Sequence, residues 1–471
     1  MGIFFNFGRR FGAMQQICAM AALLIGLCAA PLKAEEIRMG INQARAAAQN
    51  ALAAGDPIAA GQIAALILSQ FPNDAKTHAL LAASQLQTGQ FRAARKQARI
   101  SFSAGKGNPG LRYETARLAA LAATNEKKYG LSKFWLRRAS DQAQTPQQAA
   151  QVSRDFAAVD GLDPWERRFS FSVAPSNNVN GGSSSDILVI DGVSGTGRLS
   201  GDAQALSGYR ATITGALGYR LHQSPRSITQ ARLQYYGTFH KLTPEAKALA
   251  PSSEGKDYNF NILAAELVHR FSPEGAKGPY TIKGSLSQRW YGGEELLHSA
   301  ALDLSKLWVL PKGNVIDAGL QYEREISDSS SASNAHRFTG SLAFSQRIGK
   351  RGNLTEAINY SYTNSDNFSQ DQRATGIVLR YTPDRDFGPT RITFGIGYDY
   401  RYYPTHFAGL SLVPGGRKDR SVNAAIDVLF TKVEVMGFSP LMTLRAVKTD
   451  SNVSRYDSKN ISLGFSLRSA F

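Results

Sequence analysis

The chain contains 471 residues, of which 43% are apolar and 19% are charged, and its formal net charge is +17. This apolar content is ordinary for a globular chain and low for a bundle of transmembrane helices. The positive charge favours an anionic partner, but no nucleic-acid-binding motif accompanies it, so no nucleic-acid partner is predicted.

Residues 1–34 have the pattern of a cleaved export signal. Two arginines precede an apolar run over residues 17–30 that is too short to span a bilayer, and Ala34 supplies the small residue at the cleavage point. Cys18 and Cys28 both lie in this segment. The predicted mature chain therefore has no thiol for a disulfide, a metal site or a nucleophile.

Residues 35–160 are rich in alanine and other good helix formers and show helical spacing. The segment also has an internal period of 34 residues, the separation of Gly55 and Gly89. This period predicts a periplasmic domain of tetratricopeptide-like helix pairs, with an unrelated helical bundle as the alternative. The repeat positions are Ala48, Gly55, Ala60 and Pro72 in one unit, Ala82, Gly89, Phe91 and Ala94 in the next, and Ala120, Tyr129, Ser132 and Ala139 in a third.

The first helices of such repeats line a concave face that binds peptides or protein surfaces. The polar residues predicted on this client-binding face are Asn42, Arg45, Gln49, Lys76, Gln87, Glu114, Arg117 and Asn125. Residues 35–160 contain 16 basic and 9 acidic residues, which favours an acidic client segment. The alternative is a solvated helix face that binds nothing.

Residues 161–471 alternate between apolar and polar side chains in runs of about 10–16 residues, longer than the usual globular strand. Arginine, lysine, aspartate and glycine occupy the polar faces, and aromatic residues cluster at the ends of the runs. Short turns alternate with longer polar loops, which gives fourteen strands. The predicted fold class is therefore α + β multidomain: an N-terminal α-solenoid followed by a 14-stranded antiparallel transmembrane β-barrel.

Several charged residues fall on the polar face of these runs and are predicted to face the barrel lumen. They are Arg210, Arg220, Lys283, Arg289, Arg380, Arg391, Asp399 and Arg401. Charges facing lipid at mid-bilayer cost about 2–4 kcal/mol, which favours inward placement. These residues either shape a conduit or form internal ion pairs that fill a narrow barrel.

The last predicted strand ends in an aromatic residue. Phe465 and Leu467 lie on its apolar face, and Phe471 follows at the C-terminus. These three residues resemble the C-terminal signal that the barrel assembly machinery recognises in its substrates. Ser469 departs from that signal, which usually has a larger apolar residue there. The predicted partners therefore include this machinery and outer-membrane lipid.

The order of the two domains and the stretch "FSFSVAPSNNVNGGSSSD" at residues 169–186 resemble the surface lipoprotein assembly modifiers, the Slam family. This resemblance implies a protein of the Gram-negative outer membrane with its repeat domain in the periplasm. It also implies translocation of a client lipoprotein or secreted protein, without a cofactor or catalytic residues. The alternatives are an exopolysaccharide exporter and a diffusion porin with a periplasmic binding domain.

An enzyme is not expected. The seven histidines have no metal-binding spacing, and no nucleophile elbow or phosphate loop is present. The run of Gly181, Gly182 and three serines is interpreted as a flexible loop, because neither a lysine nor a helix follows it. A hydrolase assembled from distant strands is the remaining enzymatic alternative.

Overall fold

The computed structural model describes residues 39–327, 332–409, 411–435 and 437–469. The predicted export signal, both cysteines and Phe471 lie outside the described residues.

Between residue 39 and the first barrel strand, seven helices are described. Proline begins three of them, where its missing N–H costs nothing, and aspartate, asparagine or threonine side chains cap four. The helices are α1 Ile41–Ala53, α2 Pro57–Gln70, α3 Ala75–Gln87, α4 Phe91–Ala104, α5 Pro109–Asn125, α6 Tyr129–Ser140 and α7 Pro146–Leu162.

Consecutive helices pack as pairs because small residues line their contacts. Ala48, Ala60, Ala82 and Ala94 are almost completely buried, and Ser132 is buried in the third pair. The turns within the first two pairs use glycine in the left-handed region, and the turn within the third uses Lys127 at φ +58°. A non-glycine residue there is uncommon. The three pairs and α7 form one helical domain.

Fourteen antiparallel strands form a closed barrel in which each strand pairs with the next and β1 returns to β14. The strands are β1 Trp165–Ser176, β2 Gly208–Gln223, β3 Ser227–Leu242, β4 Phe260–Phe271, β5 Tyr280–Tyr291, β6 Glu294–Val309, β7 Val315–Ile326, β8 Ala335–Arg347, β9 Gly352–Ser365, β10 Gln372–Pro383, β11 Thr390–Tyr403, β12 Arg417–Phe430, β13 Phe438–Ser451 and β14 Ser458–Ser469.

The two ends of the barrel differ. The turn end carries the chain entry to β1 and six connections, among them residues 224–226 and 348–351. The loop end carries the seven other connections. The longest of these, residues 177–207, holds a two-stranded hairpin, and residues 243–259 hold helix α8, Pro244–Leu249. β1 therefore starts at the turn end, and the helical domain, which directly precedes β1, joins the barrel at that end.

The outer surface of the barrel is apolar. Phe169 is 74% exposed, Leu320 is 68% exposed and Leu467 is 63% exposed, and each points away from the lumen in the observed register. Large apolar side chains exposed over a whole barrel are typical of a surface that faces hydrocarbon. The inward positions of the same strands are mostly polar or glycine.

Candidate functional site

The helical domain is fixed to the turn end of the barrel through α6. The Arg137 guanidinium donates to the Gly437 carbonyl at 2.8 Å and lies 4.2 Å from the centre of the Phe438 ring. Ser140 Oγ donates to Glu434 Oε1 at 3.0 Å. These contacts hold α6 against the connection between β12 and β13, so the helical domain stands over the turn end.

Asp163 ties the two domains together from the linker between α7 and β1. Its buried carboxylate lies 3.0 Å from Lys133 Nζ and 3.2 Å from Arg167 Nη1, and it accepts the Trp165 N–H at 3.0 Å. Burial raises the pKa of Asp163, but these donors outweigh burial and the pKa is lowered below its ordinary value. The Asp163 carbonyl also accepts from the Arg220 guanidinium of β2.

A cavity of about 1700 Å³ lies between the helical domain and the turn end. Helices α6 and α7 form one side, and strands β1, β13 and β14 form much of the other. Its charged lining consists of Lys133, Arg137, Arg167, Arg168, Arg220 and Arg468 against Asp160, Asp163 and Glu166. The excess of basic groups favours an anionic occupant.

The predicted client-binding face divides into two groups in the structure. Helices α1, α3 and α5 lie side by side. Arg45 binds Asp74 through two nitrogens, with Nε to Oδ2 at 3.0 Å, and Arg117 Nε donates to Asp155 Oδ2 at 2.9 Å. Arg45 therefore joins α1 to the start of α3, and Arg117 joins α5 to α7. The exposed members of the face are Asn42, Gln49, Lys76, Gln87, Glu114 and Asn125.

Carboxylates between the helix pairs are strongly anchored. The Glu126 carboxylate accepts from Arg95 Nε at 2.6 Å and from Nη2 at 3.1 Å, and Lys128 also donates to it. The hydrogen bond from Arg95 is the largest influence, and together these groups lower the pKa of Glu126 to about 2. At Asp74, burial raises the pKa, but donors on Thr77 and Arg45 outweigh burial and lower it.

The sequence did not identify these acidic partners. Asp74 stands directly before α3, where an N-cap aspartate is a readable signal. That signal places the start of the helix and does not reveal the contact with Arg45. Asp155 and Glu126 carry no comparable signal, because their partners are more than 30 residues away in the chain.

Strand register places the eight predicted lumen residues on the inward face of the barrel. Arg289 contacts Glu323 and Glu325, and Arg337 joins the same two carboxylates at 3.7 and 3.2 Å. Lys283 lies 3.6 Å from Glu266 and 3.5 Å from Asp303. The wall formed by β4 to β8 is thus a network of internal ion pairs.

The other predicted lumen residues have different surroundings. Arg210 donates to His240 Nε2 at 3.2 Å, Arg391 binds Asp386 at 2.9 Å, and Asp399 accepts from Asn423 at 3.0 Å. Arg220 binds the linker carbonyl described above. Arg380 and Arg401 form no ion pair within the described ranges. With Arg210 and Arg220, whose partners are not acidic, they make four predicted lumen cations without an acidic partner in the described ranges.

Packed loops fold over the loop end. One apolar cluster joins Val179 and Leu206 to α8, and another joins Ile190, Val413 and Val453 from three different loops. A second set of contacts involves residues of the same loops and the strand ends next to them. The Arg417 guanidinium stands between the rings of Tyr403 and Tyr456, at 3.6 and 3.7 Å, and His406 Nε2 lies 3.1 Å from the Tyr456 hydroxyl.

The glycine- and serine-rich segment of the first loop is folded, in contrast to the flexible loop expected from its composition. Asn178 is buried, and its side chain both accepts the Gly182 N–H at 2.9 Å and donates to the Gly182 carbonyl at 2.8 Å. Ser183 is buried too and donates to the Ser454 carbonyl at 2.7 Å. Hydrogen bonds of both Asn178 and Ser183 thus hold this segment in place.

Phe465 and Leu467 of the predicted assembly signal lie on the outer face of β14, where both are largely exposed. Phe471, its third member, lies outside the described residues. Across the ranges that the structure describes, no group of three or more histidine, cysteine or acidic side chains is arranged to hold a metal. No helix in those ranges is long and apolar enough to cross a membrane.

These features define the class of protein: a closed fourteen-stranded antiparallel β-barrel preceded by a domain of seven helices. The predicted fold class is confirmed. It rests on the chain's own strand pairing, which closes from β1 through every neighbour to β14.

Comparison with known proteins gives the following likenesses. No family model and no curated protein matches the chain. Among solved structures, OprB of Pseudomonas putida is 9% identical over 68% of this chain and 97% of its own, with a TM-score of 0.38. OmpT, an outer membrane protein of Vibrio cholerae, is 9% identical over 65% and 98%, with a TM-score of 0.32. The type III secretion translocator chaperone SycD of Yersinia enterocolitica is 16% identical over 26% and 87%, with a TM-score of 0.24.

Proposed function

We propose that this chain is an outer-membrane translocator that moves client lipoproteins, or small secreted proteins, to the cell surface of a Gram-negative bacterium. In this proposal the turn end and the helical domain are periplasmic, and the loop end faces the exterior. The apolar outer surface of the barrel and the polar inner surface support the membrane location. The activity uses neither a cofactor nor covalent catalysis.

The observation that carries the proposal is the docking of the helical domain onto the turn end, over a cavity of about 1700 Å³. A repeat surface tethered in this way keeps a bound client next to the barrel, because docking and linker contacts restrict the distance between them. A barrel that only passes small solutes has no need for such a tether. The resemblance to the Slam family agrees with this interpretation.

The charge distribution suggests which clients are favoured. The helical domain has an excess of basic residues, and so does the lining of the cavity. Attraction between exposed charges acts over about 8–10 Å at physiological ionic strength, so it selects among segments that are already close. We therefore expect an acidic segment of the client to bind first.

The test is deletion of the gene followed by protease treatment of intact cells. Lipoproteins encoded near the gene should become protected from protease, and the full chain supplied in trans should restore their digestion. Surface exposure that is unchanged for those lipoproteins would contradict the proposal for them.

A matched pair of substitutions tests the docking contact. Arg137→Ala removes the contact between α6 and the connection at Gly437, whereas Arg154→Ala changes an exposed arginine on α7. We expect client exposure to fall in the first variant and to remain normal in the second, at equal levels of folded barrel. A large and constantly open conductance in planar bilayers would instead favour a diffusion porin.

A further inference from the structure

The barrel wall closes where β1 meets β14, and this seam is paired far less than the contacts on either side of it. β1 pairs with β2 at twelve consecutive positions, and β14 pairs with β13 at twelve. Between β1 and β14 the described residues form two pairs, Val173 with Phe465 and Ser176 with Ser462. Both pairs lie in the half of the seam nearer the loop end.

The half of the seam nearer the turn end is unpaired. The register of the two existing pairs, if continued, sets Phe171 opposite Leu467. Residues 169–172, which this register sets opposite the described residues 466–469, nevertheless have no partner on β14. Backbone N–H and C=O groups without partners are costly in a membrane, because lipid offers no hydrogen bonds. The two edges are therefore able to accept a further strand.

Asparagine side chains fasten the seam at the loop end. Asn177 Oδ1 accepts the Ile461 N–H at 2.8 Å, and Asn460 Nδ2 donates to the Asn178 carbonyl at 2.6 Å. Side-chain amides thus continue the contact between the strands beyond Ser176. These hydrogen bonds hold the two strands together at the loop end. The gap between β1 and β14 therefore lies at the turn end only.

The cavity beneath the helical domain reaches both faces of the barrel wall at this seam. A continuous wall would separate outward side chains from inward ones. The cavity lining includes the outward residues Phe169, Phe171, Phe465 and Leu467 and the inward residues Arg168, Ser170, Ser466 and Arg468. One cavity therefore connects the helical domain, the lumen and the outer apolar surface.

We propose that the unpaired half of the seam is a binding site for an extended segment of the client, which joins β1 and β14 as an added strand. The segment alternates large apolar side chains, facing outward beside Phe171, with acidic side chains facing the lumen. This inference rests on the proposed translocation in naming a client as the occupant. An acyl chain fits the site less well, because it cannot satisfy the backbone groups of the two edges.

The acidic preference follows from the charges on the inward side. Arg168 is exposed, and its only ion pair within the described ranges is with Glu166 of the same strand. Arg468 has no ion pair in those ranges, and Arg220 lies at the same end of the lumen. A carboxylate at each inward position of the added strand places opposite charges close together across the seam.

The test uses the full chain purified in detergent and two synthetic peptides, one alternating leucine with glutamate and one alternating leucine with lysine. Binding is followed by fluorescence anisotropy. We expect the wild type to bind the glutamate peptide about tenfold more tightly, a preference typical of a few close charge pairs. The double variant R168E and R468E should reverse that preference. An unchanged preference in this variant would overturn the proposal.

A disulfide tests the position of the site. The double variant F171C and L467C places two cysteines opposite each other in the continued register, so that oxidation traps a closed seam. The control is L444C with L463C, a pair that already faces across β13 and β14. We expect oxidation to weaken peptide binding about tenfold in the first variant and reductant to restore it, with no change in the control. Equal binding to the oxidised and reduced forms of the seam variant would contradict the proposal.

Photocross-linking provides a measurement that does not depend on disulfide formation. Benzoylphenylalanine at Phe169 lies in the cavity, and at Phe338 it lies on the outer surface of β8. Cross-links to the glutamate peptide at the first position and not at the second support the site. Cross-links at Phe169 to detergent or lipid only would overturn it.

These measurements separate the two proposals. Peptide binding by the purified chain requires no translocation. Intact binding together with unchanged client exposure after gene deletion would refute translocation and leave the strand-binding site in place. The opposite result is also informative. If gene deletion abolishes client exposure but the seam disulfide does not affect peptide binding, the strand-binding site alone is refuted.

Discussion

The two domains distribute the same residue types in opposite ways. In the helical domain alanine is buried, as at Ala60, Ala98 and Ala119, and charged groups lie at the edges, where they join one helix pair to the next. In the barrel large apolar side chains such as Leu320 point outward, and charged groups such as Arg289 and Glu323 lie inside. The arrangement in the helical domain suits water around the domain, whereas the arrangement in the barrel suits lipid around it.

This contrast explains where stability comes from in each domain. Small side chains let helices approach closely, so helical packing depends on the absence of bulk. The barrel gains its stability from a hydrogen-bonded wall, and its outward side chains need only be compatible with lipid. The same substitution should therefore have different consequences on the two sides of the linker.

The largest effect is expected from a charge on the outer surface of the barrel. Leu320→Arg, in the middle of β7, should lower the free energy of unfolding in lipid vesicles by about 2–4 kcal/mol. Gln321→Arg is the matched control, because Gln321 faces inward and donates to Asp303. Urea titration followed by tryptophan fluorescence measures both. Equal destabilisation of the two variants would contradict the assignment of the outer face.

Added bulk should be the more damaging change in the helical domain. Ala119 is fully buried, and Ala119→Leu should cost about 3 kcal/mol, the upper end for overpacking a tight core. Ala150→Leu places the same side chain on the exposed face of α7 and should have little effect. Circular dichroism at 222 nm during heating follows the helices. A core that accepts leucine at position 119 would show that close packing is not the basis of this domain's stability.

The sequence predicted the barrel well because alternation has a direct physical cause. Lipid on one side and a polar lumen on the other impose a period of two over long strands, and turn residues separate the strands. The same principle placed all eight charges on the inward face. It contained no information about their partners, because Glu323 and Arg289 meet only when β5 and β7 stand on either side of β6.

The contacts of the predicted client-binding face were predicted less completely, and the seam was not predicted. The period of 34 residues identified the helix pairs, but Arg45 and Arg117 bind acidic groups of the following helices, and so they are not free clamps. The weak pairing between β1 and β14 has no local signature, because both strands alternate as clearly as the others. A contact between the first and the last strand is fixed by the closure of the whole barrel.

A smaller effect is expected at Glu126. Its lowered pKa means that the ionised carboxylate stabilises the fold at neutral pH, fully above about 4.5, and that this contribution is lost as pH falls towards about 2. Glu126→Gln should cost about 2 kcal/mol at neutral pH, allowing for screening by solvent. Thermal unfolding at several pH values measures the difference, and Glu114→Gln is the exposed control. If the free energies of unfolding of the wild type and Glu126→Gln differ by the same amount at the lowest pH, the charge of Glu126 is not the cause of the difference.

The smallest effects concern the predicted client-binding face, where they separate a structural role from a binding role. Arg45→Ala removes the contact with Asp74 and should lower stability by about 1 kcal/mol. Lys76→Ala removes an exposed charge without an ion pair in the described ranges, so stability should not change.

If this face binds clients, Lys76→Ala should still weaken binding of a glutamate-rich peptide to the full chain by about threefold. With the seam trapped by its disulfide, residual peptide binding reports this face alone. Unaltered residual binding in Lys76→Ala would mean that the surface around Lys76 is only solvated.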